Sequence, residues 1–325
     1  PYVVDPRYGG PEYETLAAFG SDCGIDDLKA IAKANELSNA YGLDTISCGA
    51  TIAFAMECFE DGLLTTKDTG GIDLRFGNAS AMLQLVEQIA LRQGFGDLLA
   101  EGVARVSKQI GPASEKFAMH IKGQELPMHE PRLKQGLGVG YAISSTGADH
   151  CHNIHDTAYD DITLDLSMLS GMGILEPMPA NDLSPAKVRL LKYQSEFLHL
   201  LNCSVCCQFV ISMGLVGFDR ITKLFRAVTG WDTTFFELLK VGERSTNLAR
   251  AFNVREGFTT QDDNMPQRFF TPHPSGPLKV ALDPEAFQKA KETYYAMMDW
   301  PNGVPSPGKL GELGIEWVVP LLQTK

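Results

Sequence analysis

The sequence predicts a mainly α protein with long irregular loops, and three observations support that class. Apolar residues recur at helical spacing from Leu28 to Ala40 and again from Val188 to Leu201. Residues suited to helix caps, and glycines suited to helix stops, punctuate the first third of the chain. Between Gly111 and Asp182 periodicity fades while Gly, Pro, His and Ser rise, which reads as loop. At 325 residues the chain is long enough for two domains, with boundaries expected at 1–120 and 121–325.

The first dozen residues, rich in Pro, Gly and Tyr, form a loop. A helix follows to Tyr41, capped by Asp26 or Asp27, with Leu28, Ile31, Ala34, Leu37 and Ala40 on one face. Gly42 supplies the positive φ that closes it, Asp44 follows, and Ser47 can cap the next helix. Ser47 to Phe59 is apolar nearly all round, as a buried helix is, and stops at Gly62. Asn78 caps a helix through Leu91, stopped by Gly94, and Asp97 opens another through Ile110 to Gly111. Later helices are expected over Pro185–Leu201, Ile221–Val228, Thr233–Phe252 and Pro284–Trp300, with loops at Gly276, Pro277 and Pro301–Pro307. Pocket walls are expected from the loops Ser144–Asp161 and Gly257–Phe270.

Composition excludes several classes. A net charge of −12 argues against general binding to nucleic acid or to an anionic membrane. No run reaches the roughly 20 apolar residues of a membrane span. The opening residues do not resemble a signal peptide, and no initiator Met is present, so a fragment or processed product is expected. Seven cysteines, three of them within Cys203–Cys207, make a poor disulfide framework and fit a reducing, cytoplasmic setting with thiol or metal chemistry.

Four constellations could carry chemistry. In the Ala34–Gly49 corner two helix ends meet a carboxylate and offer a polar ligand several partners; a capped helix corner is the plain alternative. Cys203-x-x-Cys206 followed by Cys207 admits zinc, a redox dithiol, an iron–sulfur cluster, or three buried cysteines packing as weak hydrophobes. His150, His152 and His155 could bind a metal or include one general acid or base. Glu12 and Glu14 share a tight turn, either solvated or with one carboxyl perturbed by an apolar pocket. The Gly136-x-Gly138-x-Gly140 run lacks the strand–turn–helix setting of a phosphate loop, and the Tyr294–Tyr295 and Trp300 region reads as core.

GPEYETL, GLDTISCGATIAFAMECFE, the SSTGADH stretch, and NLARAFNVREGF followed by Asp262–Asp263, Pro266 and Arg268 occur in that order. Together they resemble the tungsten-containing aldehyde ferredoxin oxidoreductase family, from Gly10 to Trp317. The resemblance implies two helical domains packed about a shared cofactor seam. It also implies a missing N-terminal pterin-binding domain and a missing cysteine segment upstream. The implied cofactors are a tungsten (or molybdenum) bis-pterin and a [4Fe–4S] cluster. Asn39, Gly42, Leu43, Asp44 and Thr45 match the turn at one pterin; Asn202 and the Cys206 main chain match the turn at the other. Cys207 matches the last cluster ligand, and Glu14 and His150 the acid/base residues. Cys48 is a candidate for a further thiolate. The chain departs from the pattern where Asn39 and Asn202 replace Asp and Val205 replaces Gly; Asn keeps an acceptor and adds donors. The implied activity is oxidation of an aldehyde to a carboxylic acid, with electrons passing to ferredoxin or an iron–sulfur subunit. Alternatives are low-potential reduction of an aromatic acyl-CoA, or a helical fragment without catalysis.

Overall fold

Helices make up nearly all the regular structure among the residues that the computed structural model describes: 2–160, 170, 172–212, 217–274, 276 and 278–322. The mainly α prediction holds. Asp161 and Pro277, each named in an expected loop, lie outside the described residues. The backbone divides into two units: Pro1–His129, Thr146–Ala148 and Met265–Arg268 form the first; Glu130–Ser145, Asp149–Asn264 and Phe269–Lys325 form the second.

Unit 1 begins with a 3-10 turn, Pro6–Tyr8, inside the expected loop, and then a short helix, α1 (Tyr13–Leu16), which runs on as a π-helical turn, Ala17–Ser21. Helix α2 (Leu28–Tyr41) is capped by Asp27, whose carboxylate accepts from the Lys29 and Ala30 N–H groups. Helix α3 (Thr45–Glu60) starts two residues earlier than its apolar run suggests. Asp44, not Ser47, is its cap, and the carboxylate accepts from the Ser47 N–H at 2.7 Å. An acid offers a stronger acceptor to that end of the helix dipole than a hydroxyl would. Asn78 caps α4 (Ala79–Leu91), which Arg92 ends in the left-handed region at φ 51°. The helix expected from Asp97 to Ile110 is two: α5 (Gly94–Leu99) and α6 (Val103–Ile110), broken where Gly102 takes φ 78°. A two-stranded hairpin follows, β1 (His120–Ile121) with β2 (Gln124–Glu125). Helix α3 is the centre of this unit, and Ile52, Ala55 and Met56 are fully buried against Phe19, Met82 and Leu85. Burying a side chain the size of Ile52 or Met56 stabilises by about 1.5–3 kcal/mol.

Unit 2 opens with α7 (Gln135–Ile143), which contains the Gly136-x-Gly138-x-Gly140 run. The glycines admit close neighbours rather than a phosphate: a Cβ would stand 2.2 Å from Asn153 Oδ1 at Gly140, and 2.5 Å from Asp156 Oδ1 at Gly136. Asp156 is fully buried, accepts from the Leu137 N–H at 2.8 Å, and pairs with Lys187 at 2.8 Å. Next come α8 (Pro185–Cys203), α9 (Phe209–Ser212), α10 (Phe218–Thr229) and α11 (Phe235–Arg255), then α12 (Pro284–Met298) and α13 (Pro307–Glu312). Helices α8 and α11 cross backbone to backbone, since a Cβ on Gly242 would fall 1.8 Å from Glu196 O. The NLARAFN segment lies on α11. Arg250 donates to Asp263 Oδ1 at 3.0 Å and to Gly303 O at 2.7 Å. Tyr295 donates to the other Asp263 oxygen at 2.5 Å, Lys291 to its carbonyl at 2.5 Å, and Trp300 Nε1 to Asn247 Oδ1 at 2.7 Å. Tyr294, Tyr295 and Trp300 are buried, as expected. Among the described residues no helix is long and apolar enough to cross a membrane.

Candidate functional site

In unit 1 the structure brings Glu14 and the first turn together. Glu14 lies on α1, buried, and does not sit in a solvated acidic turn. Its Oε2 accepts from the Met128 N–H at 2.8 Å, and its Oε1 lies 3.0 Å from His129 Nε2. Glu12 does a different job: its carboxylate accepts from the Glu14 N–H at 2.9 Å and caps α1. The adjacent Thr15, also buried, shares a hydrogen bond with Thr45 at 2.9 Å, which ties α1 to the first residue of α3. Sequence reading missed Thr15, Met128 and His129. The available signal was a histidine beside a proline-rich turn, LPMHEPR, within the stretch already marked as loop.

The first turn itself is a helix end closed by Gly42 at φ 72°, ψ 37°. The Gly42 and Leu43 N–H groups both return to Ser38 O, the latter at 2.8 Å. This pattern satisfies carbonyls that a helix end would otherwise leave bare. Asn39 gives its amide donor to Asn35 O at 2.8 Å, so its carbonyl oxygen is the group it offers outward. Asn39, Gly42 and Asp44 are exposed and Leu43 and Thr45 half-buried. A Cβ on Gly42 would meet nothing within 4 Å, so that side of the turn is open. Cys48 cannot serve as a further thiolate on this surface. It is buried in the α3 core, and burial, with Asp44 adding to it, pushes its thiol up to about 12.

In unit 2 the end of α8 repeats the same closure. Cys206 N–H returns to Leu201 O at 2.9 Å, as Leu43 N–H does to Ser38 O, and Val205 stands at φ 56° where the first turn has Gly42. A β-branched residue in that region is strained. Val205 is also 95% exposed, so packing offsets little of the strain. Val205→Gly is expected to stabilise the chain by about 1 kcal/mol, the relief of strain exceeding the extra freedom of unfolded glycine. A melting temperature no higher than wild type would refute this. Asn202, Cys203 and Cys207 are exposed and Cys206 is half-buried, so three cysteines packed as small hydrophobes is not what the fold makes of them. Among the described residues Cys203, Cys206 and Cys207 do not bring three ligand atoms to one point.

The histidines of the 149–155 loop do not meet at one point: the His150 and His155 rings touch edge to face, 5.8 Å between centroids, while His152 turns away. His152 is buried, 2.8 Å from Ser144 Oγ through Nε2, and its ring lies 4.6 Å from that of His199 on α8. Ser195, also on α8, donates to His152 O at 2.8 Å. His155 turns Nδ1 to Lys134 Nζ at 3.3 Å, and His150 is half-buried. The loop is thus fastened to α8 within a turn of Asn202, with His150 beside the fastening. Burial lowers His152, and burial followed by the neighbouring His152 lowers His199 to about 3. A histidine depressed in the fold contributes stability above its unfolded value and loses it as pH falls toward the folded one. Stability should therefore decline between about pH 6.5 and 3. His199→Gln should flatten that decline by on the order of 1–2 kcal/mol between pH 7 and 5, measured by urea unfolding. An unchanged slope would show that His199 is not the titrating group.

The donor set of the two turns suits a polar, many-donor organic ligand, with acceptors at Asn39 and Asp44, a hydroxyl at Thr45 and open main chain. A complete cluster takes about four thiolates, so Cys207 fits one ligand position rather than the whole set.

The fold that carries these turns is shared with a solved structure. The solved active-site complex BamBC of benzoyl coenzyme A reductase, bound to 1,5-dienoyl-CoA, superposes with a TM-score of 0.68 at 22% identity, over 94% of this chain and 48% of that one. Residues 1–315 match the family described as "Aldehyde ferredoxin oxidoreductase, domains 2 & 3", and the chain belongs to that family. The tungsten-containing aldehyde ferredoxin oxidoreductase of Pyrococcus horikoshii is 36% identical over 313 residues, 94% of this chain and 49% of that protein. An aliphatic sulfonate oxidoreductase WOR-like subunit from Pyrococcus furiosus is 29% identical over 320 residues, covering 94% and 46%. The chain spans about half the length of the curated relatives it matches.

Proposed function

We propose that this chain is the helical half of a tungsten-dependent oxidoreductase that converts aldehydes to carboxylic acids. The observation that supports it most directly is the buried Glu14 carboxylate, anchored through one oxygen by the Met128 N–H and tied by Thr15 and Thr45 to the first turn. Asn39, Gly42, Leu43, Asp44 and Thr45 would hold one pterin, Asn202 and the Cys206 main chain the other, and Cys207 would be one ligand of a [4Fe–4S] cluster. When bound, a tungsten bis-pterin supplies the two-electron redox chemistry. The balance is aldehyde plus water giving carboxylic acid, two protons and two electrons, with the electrons received by ferredoxin or an iron–sulfur subunit. Glu14 takes a proton from the attacking water, and His150 donates a hydrogen bond to the carbonyl oxygen, which raises the electrophilicity of its carbon. The protein's part is to bind, orient and exclude side reactions.

The test is elemental analysis of the full-length enzyme, followed by product analysis with an aldehyde and, separately, with an aromatic acyl-CoA. Tungsten with acid formed only from the aldehyde supports the proposal. Ring reduction without aldehyde turnover would move the reaction to the acyl-CoA class, and zinc alone would end both.

A further inference from the structure

We infer that His129 is a positioning residue for Glu14, fixing its reactive oxygen and taking on the proton it collects. This rests on the proposed role of Glu14 but not on the identity of the substrate. Two adjacent residues of α1 grip two adjacent residues of the loop after β2. Tyr13 donates its hydroxyl hydrogen to Met128 O at 2.8 Å, and its ring lies tilted 5.5 Å from that of His129. Glu14 accepts the Met128 N–H through Oε2 at 2.8 Å and meets His129 Nε2 through Oε1 at 3.0 Å. The His129 N–H turns back to Pro127 O at 2.7 Å, which sets the direction in which the ring leaves the chain.

The two carboxylate oxygens are therefore unlike. Oε2 is held by a main-chain donor that cannot titrate. Oε1 faces a ring nitrogen that can either give or accept a proton. A buried carboxylate is costly unless paired, and the Glu14 side chain is only 8% exposed. His129, at 14%, keeps an edge toward water. A proton taken from water breaks its O–H bond and resides on Oε1; transfer to an unprotonated Nε2 forms the N–H and returns Glu14 to its ionised form. Solvent then receives the proton from the imidazole. The sequence of transfers requires no oxidant or reductant.

The test uses His129→Phe, which keeps a ring beside Tyr13 and removes both nitrogens. In the cofactor-free chain, infrared titration follows the protonated carboxyl band that Glu14→Gln abolishes. In His129→Phe that band should persist to higher pH than in wild type, because the ring nitrogen that takes the proton from Oε1 is gone. In the loaded full-length enzyme kcat should fall about tenfold with KM unchanged, the pH–rate profile should lose a limb, and added imidazole should restore part of the rate. A band that titrates as in wild type overturns the inference, as does an unaltered pH–rate profile. Should His129→Phe not fold, His129→Gln carries the same readouts. A wild-type enzyme that leaves aldehydes untouched while the infrared shift is present would refute the substrate assignment and leave His129 in place.

Discussion

Glu14→Gln is expected to lower aldehyde turnover in the full-length enzyme by roughly 10²- to 10⁴-fold, the usual worth of a positioned general base. The amide retains a carbonyl oxygen for the Met128 N–H, so the α1 contact survives and the chain should unfold within about 0.5 kcal/mol of wild type. What is lost is an oxygen able to hold a proton opposite His129. The measurement is kcat at saturating aldehyde, beside a melting curve. Turnover within threefold of wild type, with an unchanged melt, would remove Glu14 from the chemistry and with it the role of His129.

Arg250→Met is expected to produce the largest loss of stability, about 3–5 kcal/mol, because it removes the guanidinium that pairs with the fully buried Asp263 carboxylate. Tyr295 and Lys291 still reach Asp263, but the tyrosine is neutral and the lysine donates to the carbonyl rather than to the carboxylate. A charge in that position is far more costly unpaired than paired. Of a total that is about 5–15 kcal/mol for a typical domain, such a loss is enough to unfold unit 2 at moderate temperature. Adding Asp263→Asn to Arg250→Met should recover part of the loss, since the buried carboxylate charge is then gone. A single variant within 1 kcal/mol of wild type in urea unfolding would mean the network does not hold the fold.

Much of the fold was legible because its signals are local. Asp27 and Asn78 announce helix starts through side-chain geometry that spans three residues, and Gly42 announces an end through one dihedral angle. Errors fell where a local signal had rivals. Arg92 ends α4 in a conformation that glycine would be expected to take, and Asp44 outcompeted Ser47 as a cap. The site was legible by residue type and less so by partner. Glu14 stood out, but its burial depends on Met128 and His129, more than a hundred residues downstream, and no spacing rule reports such a contact. The histidines had the reverse problem. Their crowding in sequence suggested a single cluster, yet the chain turns between them, so His152 faces Ser144 and His199 while His155 stays ring to ring with His150 and reaches Lys134. Asp263 read as one letter of a family pattern, and its buried network was invisible until α11 and α12 were placed.

The crossing of α8 and α11 at Gly242 bears on how such a protein can diverge. With Glu196 O only 1.8 Å from where a side chain would begin, the distance between two long helices is set by the lack of an atom rather than by a particular fit of large side chains. Mutational drift on the flanking surfaces can then change charge and loop length without widening the gap. One frame could in this way be inherited by descendants that act on quite different molecules, provided that single position stays bare.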